Sequence, residues 1–122
     1  MSHAVINLAE KLSLFSEQWS PKIIAQMNDC HFKLAKLEGD FVWHRHPDTD
    51  EAFIILEGQL RIDFRDGSVT LGKGEMLVVP QGIEHKPFAE AECHVLVLVH
   101  EGTINTGDAP ENDLTAGTGE WI

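Results

Sequence analysis

The feature that most restricts the fold of this chain is a succession of short apolar or alternating segments between residues 22 and 99. Each has the length of a β-strand, and turn-forming Gly, Pro or Asp residues separate it from the next. Asp66 and Gly67 between two of them predict a tight hairpin. The predicted strands are 22–27, 31–37, 41–46, 52–56, 60–64, 69–71, 76–79 and 93–99. Strands of this number and spacing predict an all-β sandwich or barrel, and 122 residues suit one domain.

The N-terminal residues carry the only helical pattern. Apolar residues recur there at spacings of three and four, namely Val5, Leu8, Leu12 and Phe15. This spacing predicts a short helix or a pair of turns within residues 5–19, with Asn7 as its N-cap and Pro21 blocking its continuation. We therefore expect residues 1–21 to form a short helical segment packed on a barrel of residues 22–102.

The C-terminal stretch, residues 103–122, is rich in Gly, Thr, Asn and Asp. Such a composition is typical of a tail that is either flexible or packed on the domain. Trp121 and Ile122 are the residues by which it would dock.

The charge excludes two classes of partner. The formal net charge is -11, and nine Lys and Arg residues are scattered along the chain. Binding to nucleic acid requires clustered basic residues, and the same negative field would repel anionic membranes. The sequence shows no secretion signal and no apolar run long enough for a membrane span, so the expected location is the cytoplasm. Cys30 and Cys93 are read as reduced thiols.

Three histidines and one glutamate lie at the ends of predicted strands. His44 and His46 are alternate residues, so their imidazoles face the same side of a strand, and Glu51 opens the next strand after a turn. If that side is the barrel interior, two imidazoles and a carboxylate converge there, as in many divalent metal sites. His85 follows a Pro-Gln-Gly turn and would add a fourth ligand. A hydrogen-bonded cluster without metal is the alternative, but burying these groups unpaired would be costly.

These two stretches resemble the two motifs of the cupin family. Residues 39–58 are similar to the pattern Gly-(spacer)-His-x-His-(four)-Glu-(six)-Gly, and residues 74–85 to Gly-(five)-Pro-x-Gly-x-x-His. Two departures stand beside this match. Four residues separate Gly39 from His44, where five is commoner in the family, and Ala89 replaces an Asn that usually ends the second motif.

The resemblance implies a fold, a cofactor and an assembly. The family fold is a jelly-roll barrel, or double-stranded β-helix, with its active site inside and often a dimer. By this likeness His44, His46, Glu51 and His85 take the positions of the ligands to one divalent ion, which would be Fe, Mn, Zn or Ni. Within the family, the chain is similar to small single-domain proteins named for their likeness to mannose-6-phosphate isomerase.

Three functions follow as expectations for a small-molecule ligand. They are a metal-dependent isomerase of sugars or keto acids, an iron-dependent dioxygenase, and a non-catalytic binding or sensing barrel. Asp50 and His100 are candidates for orienting a ligand histidine, and His94 and His100 could each face the cavity. Isolated cations are usually solvated, but Lys33, Lys86 and Arg61 could bind an anionic substrate if they lined the barrel. Trp43 is expected to point out of the barrel and, with Phe41, to meet either the N-terminal helix or a partner subunit, and an exposed aromatic pair of this kind suggests a homodimer interface.

Overall fold

A computed structural model describes residues 3–122 of the chain as a mainly β protein. Residues 1 and 2 of the predicted N-terminal segment lie outside the described residues. In chain order the elements are α1 (Leu8–Leu12), β1 (Lys22–Met27), β2 (Cys30–Asp40), β3 (Glu51–Glu57), β4 (Gln59–Phe64), β5 (Gly67–Gly72), β6 (Met76–Val79), β7 (His85–His100) and β8 (Glu120–Trp121). The predicted all-β barrel with a short helical segment before it is confirmed.

Strand β7 organises the barrel because it is sixteen residues long and pairs with three other strands. Its first residues pair with β4, its last residues pair with β3, and β2 runs antiparallel along its other edge. Strand β5 extends the sheet from β4, β6 extends it from β3, and β1 and β8 extend it from β2. The eight strands therefore form one sheet that curls around a common interior.

Alternate residues of the central strands fill that interior. On β7 the inward side chains are Cys93, Val95, Val97 and Val99, all buried. They meet inward residues of β2, β3 and β4, which are Ala35, Leu37, Phe53, Ile55, Leu60 and Ile62. Because side chains alternate along a strand, the even-numbered residues of β7, including His94 and His100, point outward. Neither His94 nor His100 is among the residues that line the cavity.

A second apolar cluster lies on the outer face of the sheet, where the N-terminal segment covers it. Phe15, Ile24 and Leu34 form its buried centre, and Leu8 and Leu12 of α1 pack against them. The Asn7 N-cap is confirmed, since its Oδ1 accepts a hydrogen bond from the Glu10 backbone N at 2.9 Å. The helix is much shorter than the pattern suggested. The helix ends after about one and a half turns, and the chain continues so that Phe15 is buried against the sheet. Tertiary packing usually determines the extent of such short helices.

Two local structures differ from what the sequence pattern indicated. Residues 41–46 do not form a strand and are held to β7 by an isolated bridge between His44 and His85 and by a hydrogen bond from Phe41 N to the Pro87 carbonyl at 3.1 Å. The hairpin between β4 and β5 does form, but Phe64 pairs with Gly67, so Arg65 and Asp66 make the turn. The thiols are both free, as expected, with Cys93 buried and Cys30 half-buried. Within residues 3–122 we find no helix of the length and hydropathy needed to cross a membrane.

The C-terminal segment packs on the barrel, which is one of the two arrangements that its composition left open. Strand β8 pairs in parallel with Lys22 and Ile23 of β1, and the Trp121 ring lies edge-on to His31. Thr106, in the middle of the segment, is only 1% exposed. The Asn105 side chain donates hydrogen bonds to the carbonyl of Trp19 at 2.9 Å and to that of Leu114 at 2.8 Å.

The prediction that Phe41 and Trp43 form an outward-facing pair is wrong for Phe41, which meets Trp19 of the N-terminal segment inside the barrel. Phe41 is buried and stacks on Trp19 with ring centroids 4.5 Å apart, so it faces the interior. Trp43 is half-buried, and the Arg65 guanidinium lies 3.7 Å from the centre of its ring. Since residues 41–46 are not a regular strand, strict alternation of side chains does not apply to them.

Candidate metal centre

The backbone brings three separate parts of the chain to one end of the barrel. His44 and His85 exchange backbone hydrogen bonds, at 3.0 Å from His44 N and 2.9 Å from His85 N. The carbonyl of His46 accepts a bond from Gly82 N at 2.9 Å, which ties the turn before His85 to the first motif. Glu51 is the first residue of β3 and His85 the first of β7. Glu51 and His85 therefore start from strand ends and His44 from a bridge, whereas His46 lies in a loop that its bond to Gly82 holds in place.

The four side chains form one compact group. His44, His46, Glu51 and His85 are all buried, and one ligand atom from each lies within 4.8 Å of the others. The Nε2 atoms of His85 and His46 lie 3.2 and 3.3 Å from Glu51 Oε1. With metal–ligand bonds of about 2.1 Å, opposite ligands of one ion are separated by about 4.2 Å. The set therefore matches a single ion with shifts of a few tenths of an ångström, of the order that side chains readily make.

Backbone hydrogen bonds fix which nitrogen of two imidazoles faces the centre. Nδ1 of His44 lies 2.9 Å from the Val42 carbonyl, and Nδ1 of His85 lies 2.9 Å from the Ile83 carbonyl. A carbonyl oxygen only accepts, so both Nδ1 atoms carry the proton. Nε2 is then the nitrogen of each imidazole that would bind a cation. This arrangement, with the outer nitrogen bonded to a carbonyl, is the usual one for metal-binding histidines.

Burial keeps the group in the protonation states that a cation requires. Burial, reinforced by the nearby His85 imidazole, lowers the pKa of His44 to about 4, so His44 is neutral at pH 7. Burial alone would raise the pKa of Glu51, but its interactions with His46 and His85 outweigh burial and hold it below its usual value. At neutral pH the centre thus presents neutral imidazole and an ionised carboxylate, both competent ligands.

One buried atom of the group lacks a hydrogen bond. No described residue offers a hydrogen bond of acceptable geometry to His46 Nε2, although Glu51 Oε1 lies 3.3 Å away. Leaving a buried nitrogen unpaired is costly, and a bound cation would remove that cost. The chemistry of the donors, their spacing and this unpaired atom all fit a divalent ion held by these four residues.

Asp50 and His100 lie outside this group. The Asp50 side chain accepts a hydrogen bond from Gln81 N at 2.9 Å. The exposed His100 side chain bonds to the Glu101 carbonyl through Nδ1 at 2.7 Å and lies near Asp29. Within residues 3–122, no hydrogen bond joins either side chain to the four donors. The expectation that they orient a ligand histidine finds no contact to support it.

We therefore expect Asp50→Asn to retain its metal. The asparagine Oδ1 can accept the same bond from Gln81 N, and the substitution lies at the exposed edge of the site. Stability should change by no more than about 0.5 kcal/mol, as for most surface substitutions. Elemental analysis beside the wild type checks this. An empty Asp50→Asn site would mean that Asp50 binds the ion directly.

A small cavity inside the barrel reaches two of the four donors, His44 and Glu51. Its walls are mainly apolar, and their polar members are Lys33, His44, Glu51, Thr103 and Asn105. Lys86 and Arg61 do not line it, since Lys86 pairs with Asp40 and Arg61 with Asp63. Trp19, Thr103 and Asn105 come from outside the predicted barrel, and no local pattern in the sequence marks them as wall residues.

Comparison with known proteins agrees with the fold and the site. A crystal structure of a cupin-2 domain protein from Shewanella frigidimarina is 57% identical with a TM-score of 0.76, and covers 77% of this chain and 92% of its own. Protein NMB1881 from Neisseria meningitidis is 40% identical with a TM-score of 0.72, covering 80% of this chain and 98% of its own.

A curated relative and a family profile extend this likeness. The uncharacterized protein YdbB of Bacillus subtilis is 44% identical over 79 residues, which are 64% of this chain and 70% of YdbB. The profile described as "Cupin domain" matches residues 30–101, which are more than half of the chain and include all four donors. The chain belongs to the cupin domain family.

Proposed function

We propose that this protein is a metal-dependent enzyme that acts on a small carbonyl compound inside the barrel. The observation that carries the proposal is that two of the four donors lie in the wall of the cavity. His44 and Glu51 belong both to the donor group and to the cavity lining. A molecule in the cavity would therefore lie against the ion, which is the arrangement that metal-assisted chemistry requires.

His44, His46, Glu51 and His85 would hold the ion, and its remaining coordination positions would face the cavity. A divalent ion there supplies Lewis-acid polarisation of a substrate oxygen, or oxygen chemistry if the ion is iron. The rest of the wall positions the substrate and excludes water. Trp19 and Phe41 stack at 4.5 Å and, with Phe53 from β3, form an aromatic side of the cavity.

The apolar wall distinguishes between the substrates that the sequence leaves open. A sugar carries a hydroxyl on nearly every carbon, and each buried hydroxyl needs a hydrogen-bond partner. Val95, Val97 and Val99 offer none, and neither do Leu37 and Phe53. A keto acid or a diketone, with few oxygen atoms and a hydrocarbon body, suits these walls better. Isomerisation of such a compound is our first candidate reaction, and the same lining supports an iron-dependent dioxygenase as the second.

The test begins with protein purified without a histidine tag. Elemental analysis should find close to one divalent ion per chain. The loaded protein is then incubated in D2O with a panel of 2-keto acids, and deuterium exchange beside the carbonyl is followed by NMR. Oxygen consumption is measured in parallel with 1,3-diketones.

Each result of this test points to one function. Exchange supports the isomerase, and oxygen uptake with bound iron supports the dioxygenase. If the protein binds metal but shows neither activity, the function indicated is that of a non-catalytic binding or sensing barrel. Wild-type protein that takes up no ion even on reconstitution would overturn the proposal.

A further inference from the structure

A lysine lies deep in the barrel without an anionic partner. Lys33 is only 3% exposed and lines the cavity together with Glu51. Its ammonium group donates one hydrogen bond, to the Thr103 carbonyl at 3.1 Å. Among residues 3–122 no carboxylate lies within ion-pair distance of it, and no acceptor is found for its other two protons. The other nearly buried lysine, Lys22, shows the contrast, because Glu17 and Glu120 both pair with it.

Burying an unpaired ammonium charge reduces the stability of the folded protein unless another group in the cavity compensates the charge. A buried charge generally requires a hydrogen-bonded partner of opposite sign. Burial lowers the pKa of Lys33, and the negative charge of Glu51 opposes that change without forming an ion pair. A well-packed apolar side chain in this position would be simpler for a barrel that only had to fold. An anion in the cavity would pair with the ammonium group and satisfy its free protons.

The strand register shows how far Lys33 lies from the metal centre. Lys33 on β2 pairs with Val97 on β7, and Val97 pairs with Phe53 on β3. Neighbouring strands are about 4.8 Å apart, so Lys33 and Phe53 begin from backbones about 10 Å apart. Glu51 is two residues before Phe53 and faces the same interior. The Lys33 side chain therefore lines the same cavity as two of the four donors, His44 and Glu51, and a molecule of a few carbon atoms there could contact both.

We propose that Lys33 determines substrate specificity by binding a carboxylate of the substrate in the cavity that adjoins the metal centre. This inference rests on the proposed function, since it describes the second contact of the same substrate. The substrate class is then a short monocarboxylate with an apolar body and a further oxygen atom directed at the ion. The carboxylate pairs with Lys33, and the hydrocarbon body lies against the valines of β7.

The test compares two probes of the same shape and different charge. Isovalerate and isovaleramide have the same branched apolar body, but only isovalerate carries a carboxylate. Calorimetric titration of the metal-loaded wild type should show at least about tenfold tighter binding of isovalerate, as expected for a charge-assisted contact in a dry cavity. The titration is repeated after chelation of the metal, because a carboxylate that bound only the ion would then lose its preference.

Variants of two lysines assign the preference. Lys33→Met should bind both probes equally, and Lys33→Gln, which keeps a donor without the charge, should lose most of the preference. Lys73→Met is the matched control, because Lys73 is exposed and pairs only with Glu57. Circular dichroism confirms that each variant folds.

The outcomes separate this inference from the proposed function. Three results would overturn the role of Lys33. The wild type shows no preference for isovalerate, the preference vanishes on chelation, or it persists in Lys33→Met. Metal content is measured in the same samples. Wild type without metal but with Lys33-dependent preference would overturn the proposed function alone, and wild type with metal but no preference would overturn the Lys33 inference alone.

Discussion

A His85→Ala variant is expected to lose nearly all of its metal and, with it, on the order of 10 °C in unfolding temperature. His85 is 1% exposed, and its Nε2 lies 3.2 Å from Glu51 Oε1 at the centre of the donor group. The substitution removes one of four donors and leaves Glu51 with fewer partners in a buried site. An ion present at a thousand times its dissociation constant stabilises the folded state by about 4 kcal/mol, so its loss lowers stability as well as metal content.

His94→Ala is the matched control on the same strand. His94 also lies on β7 but points outward, where its Nε2 lies 3.1 Å from the Glu92 carboxylate. Both variants lose one imidazole, and only His85→Ala should lose the ion. Elemental analysis and thermal unfolding, each with and without added metal, measure the effect, and the metal-free proteins give the cost of the packing defect by itself. Near-stoichiometric metal in His85→Ala would remove His85 from the donor group.

The donor group could be predicted from the sequence because its members lie close to strand ends. The pairing of β3 with β7 begins at Glu51, and the bridge from His44 reaches His85 directly. Alternation predicted His44 and His46 on one side, and both are buried at the donor group although residues 41–46 are not a regular strand. Turn residues before Glu51 and His85 marked where the strands start. The spacing of these residues in the sequence was enough to predict the donor group, because strand pairing brings the ends of the strands together.

Alternation of side chains did not predict which face is buried in the barrel where a strand is apolar on both faces. On β7 the odd-numbered valines face the cavity, whereas Leu96 packs in the outer cluster under the N-terminal segment. A pattern of apolar residues on both faces does not say which face is the interior. His94 and His100 share the parity of Leu96, which made the cavity a reasonable place for them. The same ambiguity on β2 left open whether Lys33 lines the barrel, because its neighbour Leu34 is the more apolar residue but lies in the outer cluster.

Contacts distant in sequence account for the rest of what could not be predicted. Residues 41–46 have strand-like composition, yet they are held by the bridge to His85 and by the C-terminal segment. Asp108 is the main contact of that segment. Its Oδ1 accepts a bond from Arg45 N at 2.8 Å, and its own N donates to the Arg45 carbonyl at 3.0 Å. Sixty-three positions separate these residues, so no local pattern could reveal that the predicted tail supports the loop between two donors.

Gly107→Ala tests that support, and we expect it to destabilise the protein by about 3 kcal/mol or more and to weaken metal binding at least about tenfold. Gly107 has a φ of 55°, in the left-handed region that costs a residue with a Cβ about 1–2 kcal/mol. A Cβ there would overlap the Arg45 carbonyl oxygen and lie 3.0 Å from the Arg45 carbonyl carbon and 3.1 Å from His44 Cδ2. The chain can relieve this overlap only by moving the C-terminal segment or the backbone between His44 and His46.

Gly117→Ala separates the two contributions, because Gly117 lies in the same segment with a φ of 67° and a Cβ at this position would meet nothing within 4 Å. The Gly117→Ala variant therefore has the free-energy cost of a left-handed alanine but no steric overlap of its Cβ. Urea unfolding of the metal-free proteins should therefore rank wild type above Gly117→Ala and Gly117→Ala above Gly107→Ala. Competition with a chelator should show weaker metal binding in Gly107→Ala alone. If Gly107→Ala bound metal as tightly as Gly117→Ala, the C-terminal segment would contribute to stability without positioning the histidines, because the overlap would then be relieved on the side of the segment away from His44.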